Sequence, residues 1–240
     1  MVVAKSFDVV DLGSINLAEA KQSKSAAGCK TARIKGPGGK PLLIQTPPMT
    51  IPWNIEPRKM DDASSVTANL ALSFLGMMEE DVDDDLYNFM NFMRDFDIRI
   101  KSILVKTSGA LGKKSDERFL DANFKDSIKE SSNGNYPPTF QPKIWLNVKD
   151  GGDHSMPEDY VMDIKVFNFG GKLLDCGELQ KGCTAAAIIE PSYVWCSALG
   201  VGITWVAKQV AVKPNTEEKF AFNLSDKFDH LKGESEDNED

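Results

Sequence analysis

The stretch Lys143-Ile144-Trp145-Leu146-Asn147-Val148-Lys149 places an aliphatic side chain at every second position. Successive side chains of an extended chain point to opposite sides, so this period of two predicts a half-buried β-strand whose faces can be read separately. Ile144, Leu146 and Val148 form a core face, and Lys143, Trp145, Asn147 and Lys149 form the other. Asp150-Gly151-Gly152-Asp153 then turns the chain, and the alternation resumes over Val161 to Phe169. There Met162, Ile164 and Val166 face the core, while Lys165, Phe167 and Phe169 face away from it.

Beyond this pair, two longer apolar stretches, Thr184 to Cys196 and Val201 to Lys213, flank Ser197-Ala198-Leu199-Gly200, the pattern of a hairpin. Tyr193 and Trp195 share one face of it; Trp205, with Ile203 and Ala207, reads as core, and Lys208 falls opposite Trp205. Upstream, Phe7-Asp8-Val9-Val10 and Cys29 to Ile34 read as short strands, followed by a turn-forming cluster, Gly36-Pro37-Gly38-Gly39-Lys40-Pro41. Pro47, Pro48 and Pro52 make Leu42 to Ile55 an edge strand or a strand-bend-strand, because proline donates no ladder bond. Ser65 to Leu75, closed by Gly76, is a further strand.

Between these strands the period changes to three and four. Val82, Leu86, Phe89, Met90, Met93, Phe96, Ile100, Ile103 and Leu104 line one face of a helix from about Asp81 to Val105. Asp116 to Glu130 reads as a shorter helix burying Phe119, Leu120, Phe124 and Ile128. Strands, a helical insertion at about 81–131 and strands again predict a mainly β (α+β) fold, a small β-barrel carrying helices.

The 240 residues, 41% hydrophobic and 27% charged, predict one folded domain over 1–225 and a flexible acidic tail over 226–240. No run is apolar and long enough to span a bilayer, and the first residues lack the pattern of a signal peptide, so an intracellular protein with no membrane partner is expected. The formal charge of -8 is unevenly spread. From Asp226 onward seven acids meet two bases, and Glu79 to Asp85 holds six acids, which leaves the remaining body mildly basic. The acids at Glu79 to Asp85 suit the start of the long helix, where the dipole favours negative charge.

Catalytic and metal signatures fail on spacing. Cys29, Cys176, Cys183 and Cys196 form no CxxC pair, and His154 and His230 are the only histidines, so neither a zinc site nor a nucleophilic triad is expected. Gly109-Ala110-Leu111-Gly112-Lys113-Lys114-Ser115 has glycines three apart where a phosphate cradle needs five. A metal-dependent nuclease would have to use Asp81, Asp83, Asp84 and Asp85, which fan around a helix start instead of converging. A non-enzymatic protein without a cofactor or metal is expected.

Rings interleaved with lysines on a strand face suit single-stranded nucleic acid. Bases stack on the rings and lysines neutralise phosphates. The candidate interface is Lys143, Trp145, Asn147, Lys149, Lys165, Phe167 and Phe169, with Trp53 added. Packing of Trp145, Phe167 and Phe169 beneath a helix is the competing placement. A structural or adaptor protein using the same face for protein contacts, or as a homo-oligomer, is the alternative function, and the lysines count against it because interface cores are depleted of lysine.

Gly39-Lys40-Pro41-Leu42-Leu43-Ile44-Gln45-Thr46-Pro47-Pro48-Met49-Thr50-Ile51-Pro52-Trp53-Asn54-Ile55 resembles a family encoded by large nucleocytoplasmic DNA viruses, including algal viruses. The likeness continues at Tyr136-Pro137-Pro138-Thr139-Phe140-Gln141-Pro142-Lys143 and in the closing hairpin, Tyr193-Val194-Trp195 to Gly202-Ile203-Thr204-Trp205 with Lys208-Gln209-Val210, and spans roughly residues 39 to 213. This resemblance implies an OB-like antiparallel β-barrel that binds single-stranded DNA in viral replication, at the host nucleus or a cytoplasmic viral replication site. The acidic tail is similar to that of podoviral single-stranded-DNA-binding proteins, which implies replication proteins as its partners. DNA against RNA stays open.

Overall fold

A long β-hairpin organises the chain. In the computed structural model, which describes residues 4–23, 28–58, 66–78, 83–107, 116–148 and 159–213, Thr184–Ser197 pairs antiparallel with Gly200–Lys213 along its whole length. Ala198 and Leu199 form the turn expected between them. Two register shifts, at Ile188/Ile189 and Pro191/Tyr193, bend this hairpin. At the first, Ile188 pairs with Gln209 and Ile189 with Ala207, so Lys208 is the extra residue. Its ammonium reaches the nearly buried Glu190 carboxylate at 2.7 Å.

The two outer edges of the hairpin template the other strands. Thr184–Ser197 carries Lys30–Lys35, Ile44–Gln45 and Met49–Thr50, all antiparallel. Gly200–Lys213 carries Phe124–Lys125, Lys143–Val148 and Lys165–Asn168, all parallel. Val66–Asn69 and Leu72–Ser73 run antiparallel to Lys143–Val148 and Thr139–Phe140 respectively. The molecule is mostly β, with two α-helices among the described residues. Its sheet is not a fully laddered barrel: the junctions Lys143↔Val206 and Thr50↔Ser73 are single residue pairs.

Helix α1, Asp84–Lys106, closes one side of the sheet. Asp83 caps it by accepting from the N–H groups of Asp85 and Leu86, and Asp84 and Asp85 occupy its first turn. The described acids of the 79–85 run are thus helix-start residues, and no described group of His, Cys, Asp or Glu could hold a metal ion. The expected apolar face is buried from Leu86 to Leu104; Val82 lies outside the described residues. Phe89 is fully buried, with the rings of Phe7, Phe74, Phe92 and Phe140 at 5.3 to 6.3 Å. No described helix is long and apolar enough to cross a membrane.

Four expectations change or narrow. Phe7–Val9 is a 3₁₀ turn, held by the Val10 N–H donating to the Phe7 carbonyl, and Phe7 packs on α1 instead of joining a strand. The second helix, α2, ends early: it spans Glu117–Asn123, after which Phe124–Lys125 and Ile128–Lys129 are strands. Leu42 to Ile55 takes the strand-bend-strand form of the expectation and not the edge form: Ile44–Gln45 and Met49–Thr50 flank a bend at Pro47 and Pro48, and each pairs on both sides. The run 161–169 divides at Asp163 and Ile164 into Tyr160–Met162 and Lys165–Asn168, which pair with different strands. Lys149, His154, His230, the 109–115 glycine stretch and the 226–240 tail lie outside the described residues.

Phe89→Ala removes the ring around which the α1 cluster packs. It is expected to lower the free energy of unfolding by about 3 to 5 kcal/mol in chemical denaturation. Ile98→Ala, at an exposed position of the same helix, is expected to change it by less than about 0.5 kcal/mol.

Candidate functional site

Alternation of the Lys143–Val148 strand holds as far as Asn147; Val148, expected in the core, is half-buried. Ile144 and Leu146 are buried, Trp145 is 36% exposed, Asn147 is exposed and Lys143 is half-buried. Trp145 thus keeps about a third of its surface open to solvent. Directly opposed residues on neighbouring strands share a face, so Trp145 lies beside Thr67 and Lys143 beside Asn69.

Lys143 lines a groove of about 590 Å³ that also takes in Thr67 and Asn69. Its other lining includes the segment after α2, which contributes Lys125 and Lys129, and the turn-proximal half of the long hairpin, with Trp195 and Thr204. Three lysines thus converge on one furrow. Lys129 donates to the Gln141 side-chain oxygen at 3.1 Å, which holds its ammonium at the wall. The one acid among the lining residues, Asp126, has its carboxylate 3.7 Å from the Lys101 ammonium on α1. Glu190, paired along the hairpin with Val206 next to Lys143, is matched by Lys208. Among the described residues, these two acids near the groove are thus each matched by a lysine outside its lining.

Trp195 is shaped for stacking. It stands directly opposite Gly202, and a methyl group added to Gly202 would lie 2.7 Å from Cζ2 and 3.0 Å from Cε2 of the indole. The ring lies against bare backbone, an approach only glycine permits, and it is half-buried in the groove lining. Neither Trp195 nor Lys125 and Lys129 were singled out from sequence as interface residues. The two-residue turn did carry a signal for Trp195: counting back from Ser197↔Gly200 sets tryptophan opposite glycine.

The remaining candidates are spread out. Trp145 is two residues along its strand from Lys143 and is not among the groove's described lining residues. Lys165 and Phe167 pair with Gln209 and Ala211, beyond the Val206 partner of Lys143, so Phe167 is displaced by about 17 Å along the strand. Phe169 is exposed in the turn that follows, near the exposed Leu173. Trp53 is exposed after Met49–Thr50, a strand that meets Thr184 and Ala185, the far end of the strand bearing Trp195. Trp205 is core, buried against Phe96 at 4.8 Å and Phe140 at 5.5 Å.

No protein-family model and no curated protein matches the chain. Solved structures do. The chain is similar to a single-stranded DNA-binding protein from bacteriophage Enc34, solved in complex with ssDNA, at 13% identity over 84% of this chain and 97% of that one, with a TM-score of 0.39. A second structure of the single-stranded DNA-binding protein from bacteriophage Enc34 gives 13% identity over 89% of this chain and 99% of that one, with a TM-score of 0.34. Its C-terminal truncation gives 12%, 84%, 95% and 0.33. These neighbours are bacteriophage proteins and not of the algal-virus type read at Gly39 to Ile55.

Beneath the groove wall lies a buried hydrogen-bonded chain. The Trp205 indole N–H donates to Ser127 Oγ at 2.7 Å, and Ser127 donates from Oγ and from its backbone N–H to the Asp97 carboxylate at 2.6 and 2.8 Å. Burial pushes the Asp97 carboxyl up to about 6, although the two Ser127 bonds act in the opposite direction. The folded chain takes up this proton near pH 6, the unfolded chain only near 3.8. Asp97 therefore contributes stability that is fully present below about pH 4 and lost as pH rises through about 6. Against Asp97→Asn, the native chain is expected to gain on the order of 3 kcal/mol in unfolding free energy between neutral pH and about 4. Parallel denaturation curves for the two proteins across that range measure it, and a constant difference overturns it.

Proposed function

We propose that the chain is a non-enzymatic single-stranded-DNA-binding protein acting in DNA replication, recombination or repair. One observation carries the reading: Lys125, Lys129 and Lys143 line one groove together with Trp195. Bases stack on an aromatic face whatever their identity, while the lysines release counterions from the phosphates. Trp145 and Asn147 extend the surface along the strand of Lys143, and Lys149 follows them in sequence.

The order of strand pairing supports an OB-like barrel as the scaffold. Met49–Thr50 meets Leu72–Ser73, the Val66–Ser73 segments meet Thr139–Val148, Lys143 meets Gly200–Lys213 in parallel, and the hairpin leads back to Met49–Thr50. Open-ended grooves on such scaffolds take oligonucleotides. The acidic residues from Asp226 onward are the segment proposed to engage replication proteins, and the Gly39–Ile55 resemblance supports a viral setting inside the host cell. Protein contact is the second reading for one patch only: Phe169 and Leu173 are exposed apolar residues away from the groove lysines.

Titration with an unstructured oligothymidylate is expected to quench tryptophan fluorescence, with affinity falling steeply as salt rises and exceeding that for duplex. Trp195→Ala is expected to weaken binding by about 1 to 3 kcal/mol. Gly202→Ala, which lifts the ring from the sheet, should weaken it in the same direction. Equal affinity for all three proteins would remove Trp195 from the interface.

A further inference from the structure

Trp195 lines the groove, and the row of side chains that contains it continues onto strands whose residues are not among the groove's described lining. Four successive pairings align Lys125 with Gly202, Gly202 with Trp195, Trp195 with Thr31, and Thr31 with Lys21. Opposed residues share a face, so these five positions form one line across five strands. At about 4.8 Å per strand the line runs about 19 Å from Lys125 to Lys21. A second line lies beside it: Thr204 pairs with Tyr193 and Tyr193 with Arg33.

We infer that the single-stranded DNA track continues past Trp195 over the Lys30–Lys35 and Lys21–Gln22 strands, with Arg33 and Lys21 holding phosphates and Tyr193 offering a second ring. The inference rests on the single-stranded-DNA reading above. Arg33 and Lys21 are exposed, and neither has an ion-pair partner among the described residues. Tyr193 and Trp195 are two residues apart on one strand, so their spacing is about 6.6 Å. That is nearly twice the roughly 3.4 Å step of a duplex strand, and it suits bases drawn apart on an extended single strand. Lysines on edge strands also serve to block strand addition. This accounts for Lys21 and not for Arg33, whose strand is flanked by Thr184–Ser197 on one side and Asn16–Leu17 and Lys21–Gln22 on the other.

The test compares salt dependence of oligothymidylate binding for the native chain, the double variant Lys21→Ala/Arg33→Ala and the groove variant Lys125→Ala/Lys129→Ala. Removing one cation that neutralises a phosphate lowers the slope of log affinity against log salt by about 0.7, so each double variant is expected to show a slope smaller by about 1.4. Lys21→Arg/Arg33→Lys, which keeps both charges, is expected to restore the native slope. If only the groove variant shows a smaller slope, the extension is overturned and the groove reading stands. If only the Lys21/Arg33 variant does, the extension stands and the groove lysines are displaced from the reading. If neither changes, both fall. Tyr193→Leu, which keeps apolar bulk, is expected to weaken binding roughly five- to hundredfold, and unchanged affinity would remove Tyr193 from the track.

Discussion

Backbone hydrogen bonding along the two outer edges of one hairpin is the constraint on which the molecule depends. Each 14-residue strand can satisfy one side of its peptide groups from its hairpin partner, and the other side needs further strands. Three short segments dock on each edge. None of these segments is long enough to be stable alone. Their positions are inherited from the hairpin, and so is the groove, because Lys125 and Lys143 enter it from two strands placed end to end on the same edge.

The second determinant is aromatic packing of α1 across the sheet. Phe96 meets Trp205 and Phe89 meets Phe140, which ties helix, hairpin and the segment before Lys143 into one core. The polar exception, Asp97, is buried in this contact and joins the helix to Ser127. A buried carboxyl is unfavourable by itself, but here it fixes the backbone between Lys125 and Lys129, so part of the core's stability is given up to hold the groove wall.

Much of this was legible where local periodicity decides structure. The faces of α1 and of Lys143–Val148, the turn at Ala198 and Leu199, and the burial of Trp205 follow from periods of 3.6 and 2. The second helix misled for a physical reason. Leu120, Phe124 and Ile128 are spaced by four, as a helix requires, yet the chain breaks into strands because Phe124 and Lys125 pair with Val201 and Gly202 and Ser127 binds Asp97, partners some 75 and 30 residues away. The candidate site was half legible for the same reason. Alternation assigns a residue to a face; it does not say which strands lie side by side. Lys143 and Trp145 were therefore found, whereas Lys125 and Lys129 were absorbed into an expected helix, and Phe167 was grouped with Trp145 although its strand docks farther along the hairpin.

Charge placement explains how a chain of formal charge -8 can bring three lysines to one furrow. Screening confines electrostatic influence to about 8 Å at physiological salt, so the sign of a site is set by near neighbours and not by the total. Near the groove, Asp126 faces Lys101 and Glu190 faces Lys208, and both pairings are imposed by the fold: the first by the helix beneath the wall, the second by the bulge that makes Lys208 the extra residue. Asp83, Asp84 and Asp85 are committed to the start of α1. Glu190 shares its row with Val206 and Lys143, and the register shift that makes Lys208 the extra residue lies two positions from Val206. The bulge therefore bends the sheet and, in the same step, sets Lys208 against Glu190.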